Sequence, residues 1–283
     1  MGTKARVVLY AADTARAQAA AAAAFARIAQ LDAWLSDYRA DSELSNLSAQ
    51  SGGAPVRIGQ DLYMILRHAL ALAEETEGAF DVTAGPLVAL WRTARRTGRS
   101  PDAAALDAAR QHVGWRDMVL DTMKRTLRLA RPGMRLDLGG IAKGYAVDRA
   151  LEALRAHGVD QALVELGGEI AVGRAPPASE GWRIEVENAD SAQRIVLLEN
   201  VAISSSGAAE QFIDVAGVRH SHVIDARTGM AVSNLVAATV IAPDGTTADA
   251  YATVVTILDE ERRTRFIAAH PEARFYVRKP PPR

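Results

Sequence analysis

Asp137-Leu138-Gly139-Gly140-Ile141-Ala142-Lys143-Gly144-Tyr145-Ala146-Val147-Asp148 joins glycine pairs, carboxylates and a lysine where a strand over Met134 to Leu138 should give way to a helix over Ile141 to His157. Such a turn can point unpaired backbone N–H groups and a positive helix end at a phosphate. The same glycines also suit a purely structural connection in which any side chain would clash, so other residues must decide between the two. Asp249 and Thr253 stand four positions apart in Thr247-Ala248-Asp249-Ala250-Tyr251-Ala252-Thr253. On a helix that spacing stacks two oxygens on one face, which suits a hard cation such as Mg²⁺ with further positions left to water or phosphate oxygens. The alternative is local: Asp249 as a cap for a helix starting near Thr247, with Thr253 bonded back to a carbonyl.

Other segments carry further polar groups. Gly78-Ala79-Phe80-Asp81-Val82-Thr83-Ala84-Gly85-Pro86-Leu87 sets a ring and a carboxylate between glycines, either for an aromatic ligand or as a helix terminus with Phe80 in the core. Ser221-His222-Val223-Ile224-Asp225 places a histidine at a strand end, where it could accept a proton, meet a phosphate or serve only structure. Ser204-Ser205-Ser206-Gly207 and Leu166-Gly167-Gly168-Glu169 add hydroxyls and unhindered backbone. A P-loop, a dinucleotide fingerprint and a lipase-type nucleophile motif are all missing from the sequence.

These groups need elements to position them. The spacing predicts a strand over Arg6 to Tyr10 and a helix over Thr14 to Leu35 with Phe25, Ile28, Leu31, Trp34 and Leu35 inward. Ser36 to Ser51 reads as a polar loop or short-turn region, Asp61 to Glu77 as a helix closed by Gly78, and Arg92, Arg95, Arg96 and Arg99 as a solvated loop. Ser100-Pro101 predicts a further helix start, with Gly114 after the helix end. Strands are expected at 118–121, 126–130, 134–138, 161–165, 168–173, 182–187, 195–204, 211–215, 219–224, 236–242 and 274–278, with helices over Thr247 to Leu258 and 260–269. Pro176-Pro177-Ala178-Ser179 reads as an exposed loop. Strand runs interspersed with helices, at hairpin-like spacing late in the chain, imply an α+β fold of mixed, largely antiparallel sheets with packed helices.

The chain has 283 residues, 49% of them hydrophobic and 24% charged, enough for one large domain over 1–283 or two intertwined lobes. A net charge of −1 gives no basic field, so nucleic acid is not expected as a partner. With no cysteine, disulfides, thiolate metal sites and a cysteine nucleophile are excluded, and chemistry falls to oxygen and nitrogen groups. No apolar run reaches membrane-spanning length and no signal peptide is read in this sequence, so a membrane is expected as a partner only through a lipid anchor or leader absent from it.

Taken in order, GAFDVTAGPL (78–87), DLGGIAKGYAVD (137–148), ELGGE (165–169), SHVIDARTG (221–229) and ADAYATVVTIL (248–258) resemble the ApbE-type FAD:protein FMN transferases. Weaker matches at Met1-Gly2-Thr3 and Tyr38-Arg39-Ala40-Asp41-Ser42-Glu43-Leu44-Ser45 extend the resemblance over nearly the whole chain. Tyr251 departs from it, standing where that pattern carries a smaller or aliphatic side chain.

The resemblance implies an ApbE-like, T-fold-like architecture and an enzyme that binds FAD as substrate. That enzyme would use Mg²⁺ to cleave the pyrophosphate and transfer FMN to a threonine or serine hydroxyl of a partner flavoprotein, leaving AMP. It assigns the metal to Asp249, Thr253 and the carbonyl of Gly140. Contacts to FAD fall to Met1, Tyr38, Ala79, Phe80, Asp81, Asp137, Lys143 and Val223, and His222 becomes the candidate proton acceptor near the flavin phosphate. It also suggests an exported, periplasmic setting. Two rivals share the pocket: a FAD pyrophosphatase giving AMP and FMN, and a non-catalytic FAD-binding protein. An intact Asp249/Thr253 pair argues against the passive binder, which has no need of a metal at the pyrophosphate.

Overall fold

The computed structural model describes residues 2–189, 194–207, 212–215 and 218–279. It opens with β1 (Ala5–Leu9) and the long α1 (Thr14–Leu35), started by the Asp13 carboxylate accepting from Arg16 N at 2.8 Å. Then come α2 (Glu43–Ala49), β2 (Val56–Arg57), α3 (Gln60–Glu75), α4 (Gly85–Thr97), α5 (Ala103–Arg110), β3 (Met118–Asp121) and β4 (Thr126–Leu129). The centre of the chain holds α6 (Ala142–Ala156), β5 (Ala162–Leu166), β6 (Glu169–Val172), β7 (Trp182–Glu185), β8 (Ile195–Leu198) and β9 (Val201–Ser206). Last come the hairpins β10 (Phe212–Val215) with β11 (Val218–Ser221) and β12 (Ile224–Asp225) with β13 (Met230–Ala231), then β14 (Ala237–Ala242), α7 (Gly245–Ile257), α8 (Glu260–Ala269) and β15 (Arg274–Arg278).

The expected α+β fold is the one observed. Its main sheet runs β1-β5-β6-β9-β14-β15 with every neighbouring pair antiparallel. Helices α6 and α7 cover one face, and α1 lies over α6. On the other side Trp182, Ile184, Val186 and Leu198 from the β7–β8 hairpin form a core with Leu163, Val172, Ile203 and Ile241. Burial on both faces explains why Ala-Ala-Thr-Val-Ile-Ala of β14 is apolar without alternation. Helix α7 is apolar nearly all round because it sits between the sheet and α6.

Several sequence expectations are corrected. Ser36 to Ser51 is not all loop: Ser42 caps α2, accepting from Ser45 N at 2.9 Å, and Leu44 and Leu47 are buried. The arginine run is not a loop either, since Arg92, Arg95 and Arg96 lie on α4, whose Leu87, Trp91 and Ala94 face a small core of their own. Helix α5 is capped by Asp102, whose carboxylate accepts from Ala105 N at 2.7 Å, two residues after Ser100. Met134 to Leu138 is extended but forms one bridge, Arg135 with Ala84, rather than a strand. The runs 195–204 and 219–224 are each broken in two, the first by Asn200 at φ +52° and the second by the turn at His222. Phe25 and Trp34 are 43% and 36% exposed, so the inward stripe of α1 is Ala20, Ala24, Ile28, Leu31 and Leu35. No helix among the described residues is long and apolar enough to cross a membrane.

Helices α6 and α7 meet closely at Gly144 and Gly245, where a Cβ on Gly144 would collide with the Gly245 carbonyl oxygen. Asp148 of α6 then holds the α7 N-terminus, accepting from Gly245 N at 2.6 Å, Thr246 N at 2.8 Å and Thr246 Oγ1 at 2.7 Å. Burial pushes the Asp148 carboxyl up to about 6 despite these donors. The folded carboxyl therefore binds its proton more tightly than the unfolded one, so its contribution to stability is full below about pH 4 and is lost as pH rises through about 6. Asp148→Asn should flatten the difference between denaturation midpoints at pH 5 and pH 7.5, a difference to which Asp148 contributes about 1.4 kcal/mol, because pH 5 lies only about one unit below the folded carboxyl's midpoint. An unchanged pH slope in the variant would refute this assignment.

Candidate functional site

The glycine turn opens onto a cavity of about 490 Å³ between α4, α6, α7, the β5–β6 turn and the His222 turn. Tyr38, Ala79, Phe80, Asp81, Asp137, Gly140, Lys143, His222, Val223, Asp249 and Thr253 all line it. Met1 lies outside the described residues. Eleven positions scattered from 38 to 253 thus meet at one concave surface.

Asp249 sits in the second turn of α7, 4% exposed, and does not cap its own helix; that task falls to Asp244, which accepts from Thr247 N at 2.8 Å. Instead Asp249 Oδ2 accepts from Gly144 N at 2.9 Å, so it faces the N-terminal turn of α6. Thr253, one turn on, lies against Gly140, where a Cβ would stand 3.1 Å from Thr253 Oγ1 and 3.3 Å from the Phe80 ring. The Gly140 backbone reaches this close because it has no side chain.

Lys143 enters from the first turn of α6 and pairs with Glu169, which follows the Gly167-Gly168 turn between β5 and β6. Glu169 is 2% exposed, and its Oε2 has no hydrogen-bond partner among the described residues. Burial first, and Asp249 second, push the Glu169 carboxyl up to about 8 against the pull of Lys143. Burial likewise raises Asp249, opposed by Lys143 and by the α6 amides. Two buried carboxylates thus share one ammonium, and both penalties fall if more positive charge arrives.

The donor set fits a hard divalent cation: carboxylate, hydroxyl and backbone carbonyl oxygens with no sulfur or imidazole among them. No group of three His, Cys, Asp or Glu side chains is arranged to hold a metal among the described residues. The protein's share would therefore leave positions for water and phosphate oxygens, the usual habit of Mg²⁺.

At the mouth, Asp137 accepts from Gly139 N at 2.8 Å and from Arg92 Nη2 at 2.7 Å, while Arg92 also pairs with Asp37. Burial raises the Asp137 carboxyl, Asp37 adds to that rise, and Arg92 opposes it. His222 is exposed in a turn held by Ser221, whose Oγ accepts from Val223 N at 3.1 Å while its N–H donates to Val232 O at 2.7 Å. Trp91 fastens this region to α4, donating Nε1 to Gly229 O at 2.9 Å.

A sequence model described as the ApbE family matches residues 1–277. The chain belongs to the ApbE family. Among its relatives, the FAD:protein FMN transferase of Treponema pallidum is 34% identical over 96% of this chain and 80% of its own length. The flavin transferase ApbE structure from Vibrio cholerae superimposes with a TM-score of 0.85 at 31% identity, covering 97% of this chain and 89% of that one. The ApbE protein of Thermotoga maritima gives 0.87 at 26% identity over 99% and 94%. Enzymes named for flavin transfer are the class that the motif order led the sequence reading to expect.

Within the ApbE fold two positions play roles that the motifs did not suggest. Asp81 spends its carboxylate on the turn itself: Oδ1 accepts from Thr83 N at 2.8 Å and Thr83 Oγ1 at 2.7 Å, and Oδ2 from Trp115 N at 2.9 Å. Tyr251 points away from the cavity, its hydroxyl 2.8 Å from His270 Nδ1 and its ring edge-on to Phe266, so the unusual residue packs the rear of α7. Asp37, Arg92 and Glu169 also line the cavity, and of these only Glu169 falls within a motif of the sequence. The spacing of Leu87, Trp91 and Ala94 was the available sign that Arg92 lies on a packed helix. Asp81→Ala should lower folding stability by about 2–3 kcal/mol, measured by urea denaturation, because three donors lose a charged acceptor. A loss below about 0.5 kcal/mol would mean that the turn does not depend on this carboxylate.

Proposed function

We propose that this chain transfers FMN from FAD to a threonine or serine hydroxyl of a partner flavoprotein, in a Mg²⁺-dependent reaction that releases AMP. The relatives' shared name supports flavin transfer. The observation that carries the finer reading is the cluster of buried Asp249 and Glu169 with Lys143 beside the glycine turn, in a cavity that His222 also lines. A pyrophosphate laid along the start of α6 would meet amide dipoles and Lys143. Phe80 lies against Gly140 on the cavity wall, an apolar surface for a flat ring system beside the phosphates.

Asp249, Thr253 and the Gly140 carbonyl are the residues that would hold Mg²⁺, which supplies charge neutralisation at the bridging oxygens when bound. The acceptor hydroxyl attacks the phosphorus on the FMN side, a new P–O bond forms, and the bond to the AMP oxygen breaks. His222 accepts the proton of the incoming hydroxyl, and its exposure lets a macromolecular acceptor reach it. Lys143 holds the pyrophosphate in line while Asp137 and Tyr38 border the mouth.

Incubation with FAD, Mg²⁺ and a panel of flavoprotein domains, read by mass spectrometry, should yield covalently flavinylated acceptor and AMP. Asp249→Ala should lower both about a thousandfold and His222→Ala about a hundredfold. AMP with unbound FMN and no labelled acceptor would replace transferase with pyrophosphatase, and unchanged FAD would favour a binding protein. Independently of turnover, millimolar Mg²⁺ should raise the thermal midpoint of the wild type by a few degrees and leave Asp249→Asn unmoved. Equal shifts in both proteins would place the cation elsewhere.

A further inference from the structure

Arg92 connects parts of the cavity mouth that are far apart in sequence. Its guanidinium pairs with Asp37, in the segment after α1, and its Nη2 stands 2.7 Å from Asp137 Oδ2 in the glycine turn. The same guanidinium carbon lies 4.2 Å from the centroid of the Tyr38 ring. Tyr38 is 73% exposed, so little else confines that ring, and a mobile ring would pay rotamer entropy each time it closed on a ligand. After burial, Asp37 adds to the cost of ionising Asp137, and Arg92 is the cation paired with both. Next along the helix, Trp91 packs into the α4 core and is bonded to Gly229, which anchors the backbone that carries Arg92.

We propose that Arg92 is a positioning residue of the flavin site, holding the Tyr38 ring and the Asp137 turn in the arrangement that receives FAD. The inference rests on the flavin reading above and adds to it a residue that governs affinity rather than group transfer. The side-chain type matters. A planar fork serves two carboxylates and lies against a ring at once, whereas a lysine ammonium is a point charge on a flexible stem that cannot do both.

The test is a double-mutant cycle on Arg92→Lys and Tyr38→Ala, with FAD affinity measured by calorimetry in Mg²⁺ and KM and kcat measured with an acceptor domain whose hydroxyl is not yet flavinylated. Arg92→Lys should weaken FAD binding about tenfold and raise KM for FAD equally, with kcat within about threefold of wild type. In the Tyr38→Ala background the same change should cost less than about threefold, because its target ring is gone. If Arg92→Lys does not fold, Asp37→Asn removes one arm of the bridge and carries the same expectations. Wild-type affinity in the variant, a loss confined to kcat, or equal losses in both backgrounds would each overturn the inference. A wild-type chain that does not bind FAD would sink the flavin reading and this inference together, whereas binding that Arg92→Lys leaves unchanged sinks the inference alone.

Discussion

The close contact of α6 with α7 at Gly144 and Gly245 governs the site. Only with both side chains absent can Gly144 N reach Asp249 across the helix interface. That one approach sets the depth of Asp249, the direction of the α6 N-terminal amides and the exit of Lys143 toward Glu169. Asp148 secures the same interface from its other side by accepting from the first residues of α7. A methyl group at Gly144 would separate the helices, and the carboxylate, the ammonium and the glycine turn would lose their common origin.

A second constraint comes from α4, which works as a strut across the mouth. Trp91 ties it to the β12–β13 hairpin beside His222, while Arg92 ties it to the segments bearing Asp37 and Asp137. Neighbouring side chains thus set the distance between the two walls. The division of labour is physical: buried groups on α6 and α7 hold charge in a low-dielectric floor, and half-exposed groups on α4 hold shape at a solvated rim.

Much of this was legible in the sequence where local rules act alone. Helical spacing located α1, α6, α7 and α8 closely, and Gly78 takes the left-handed backbone expected of a terminating glycine. Motif order led to the residues that line the cavity, because glycine turns and paired oxygens leave a sequence trace. What escaped depended on tertiary contact. Arg92 looked solvated because its charge partners lie 55 and 45 residues away. Glu169 was visible in its motif, but its burial against Lys143 and Asp249 is not a property of neighbouring residues. Asp81 lines the cavity as a ligand contact would, but the donors that its carboxylate holds include Trp115, again distant in the chain. Met134 to Leu138 carries strand-like residues yet finds a single bridging partner, which no periodicity reveals.

The balance of charge on the cavity floor argues for the order in which its parts act. Glu169 and Asp249 are both buried and both held above the usual carboxylate range, with Lys143 as the shared cation. A pyrophosphate brought against this floor would add negative charge to a place that already resists it, and the one ammonium of Lys143, already paired with Glu169, would not offset it. Backbone amides at the α6 terminus help, but one helix end contributes only about half a charge. A divalent cation held by Asp249, Thr253 and the Gly140 carbonyl would resolve the conflict from both sides, lowering the cost of Asp249 and the repulsion felt by the ligand. Under the proposed function the metal and the dinucleotide would bind with positive cooperativity, because each would supply the charge that the other lacks. On the proposed function, burying two carboxylates beside a site for an anion would have a physical purpose: it would make occupancy by the anion depend on the metal.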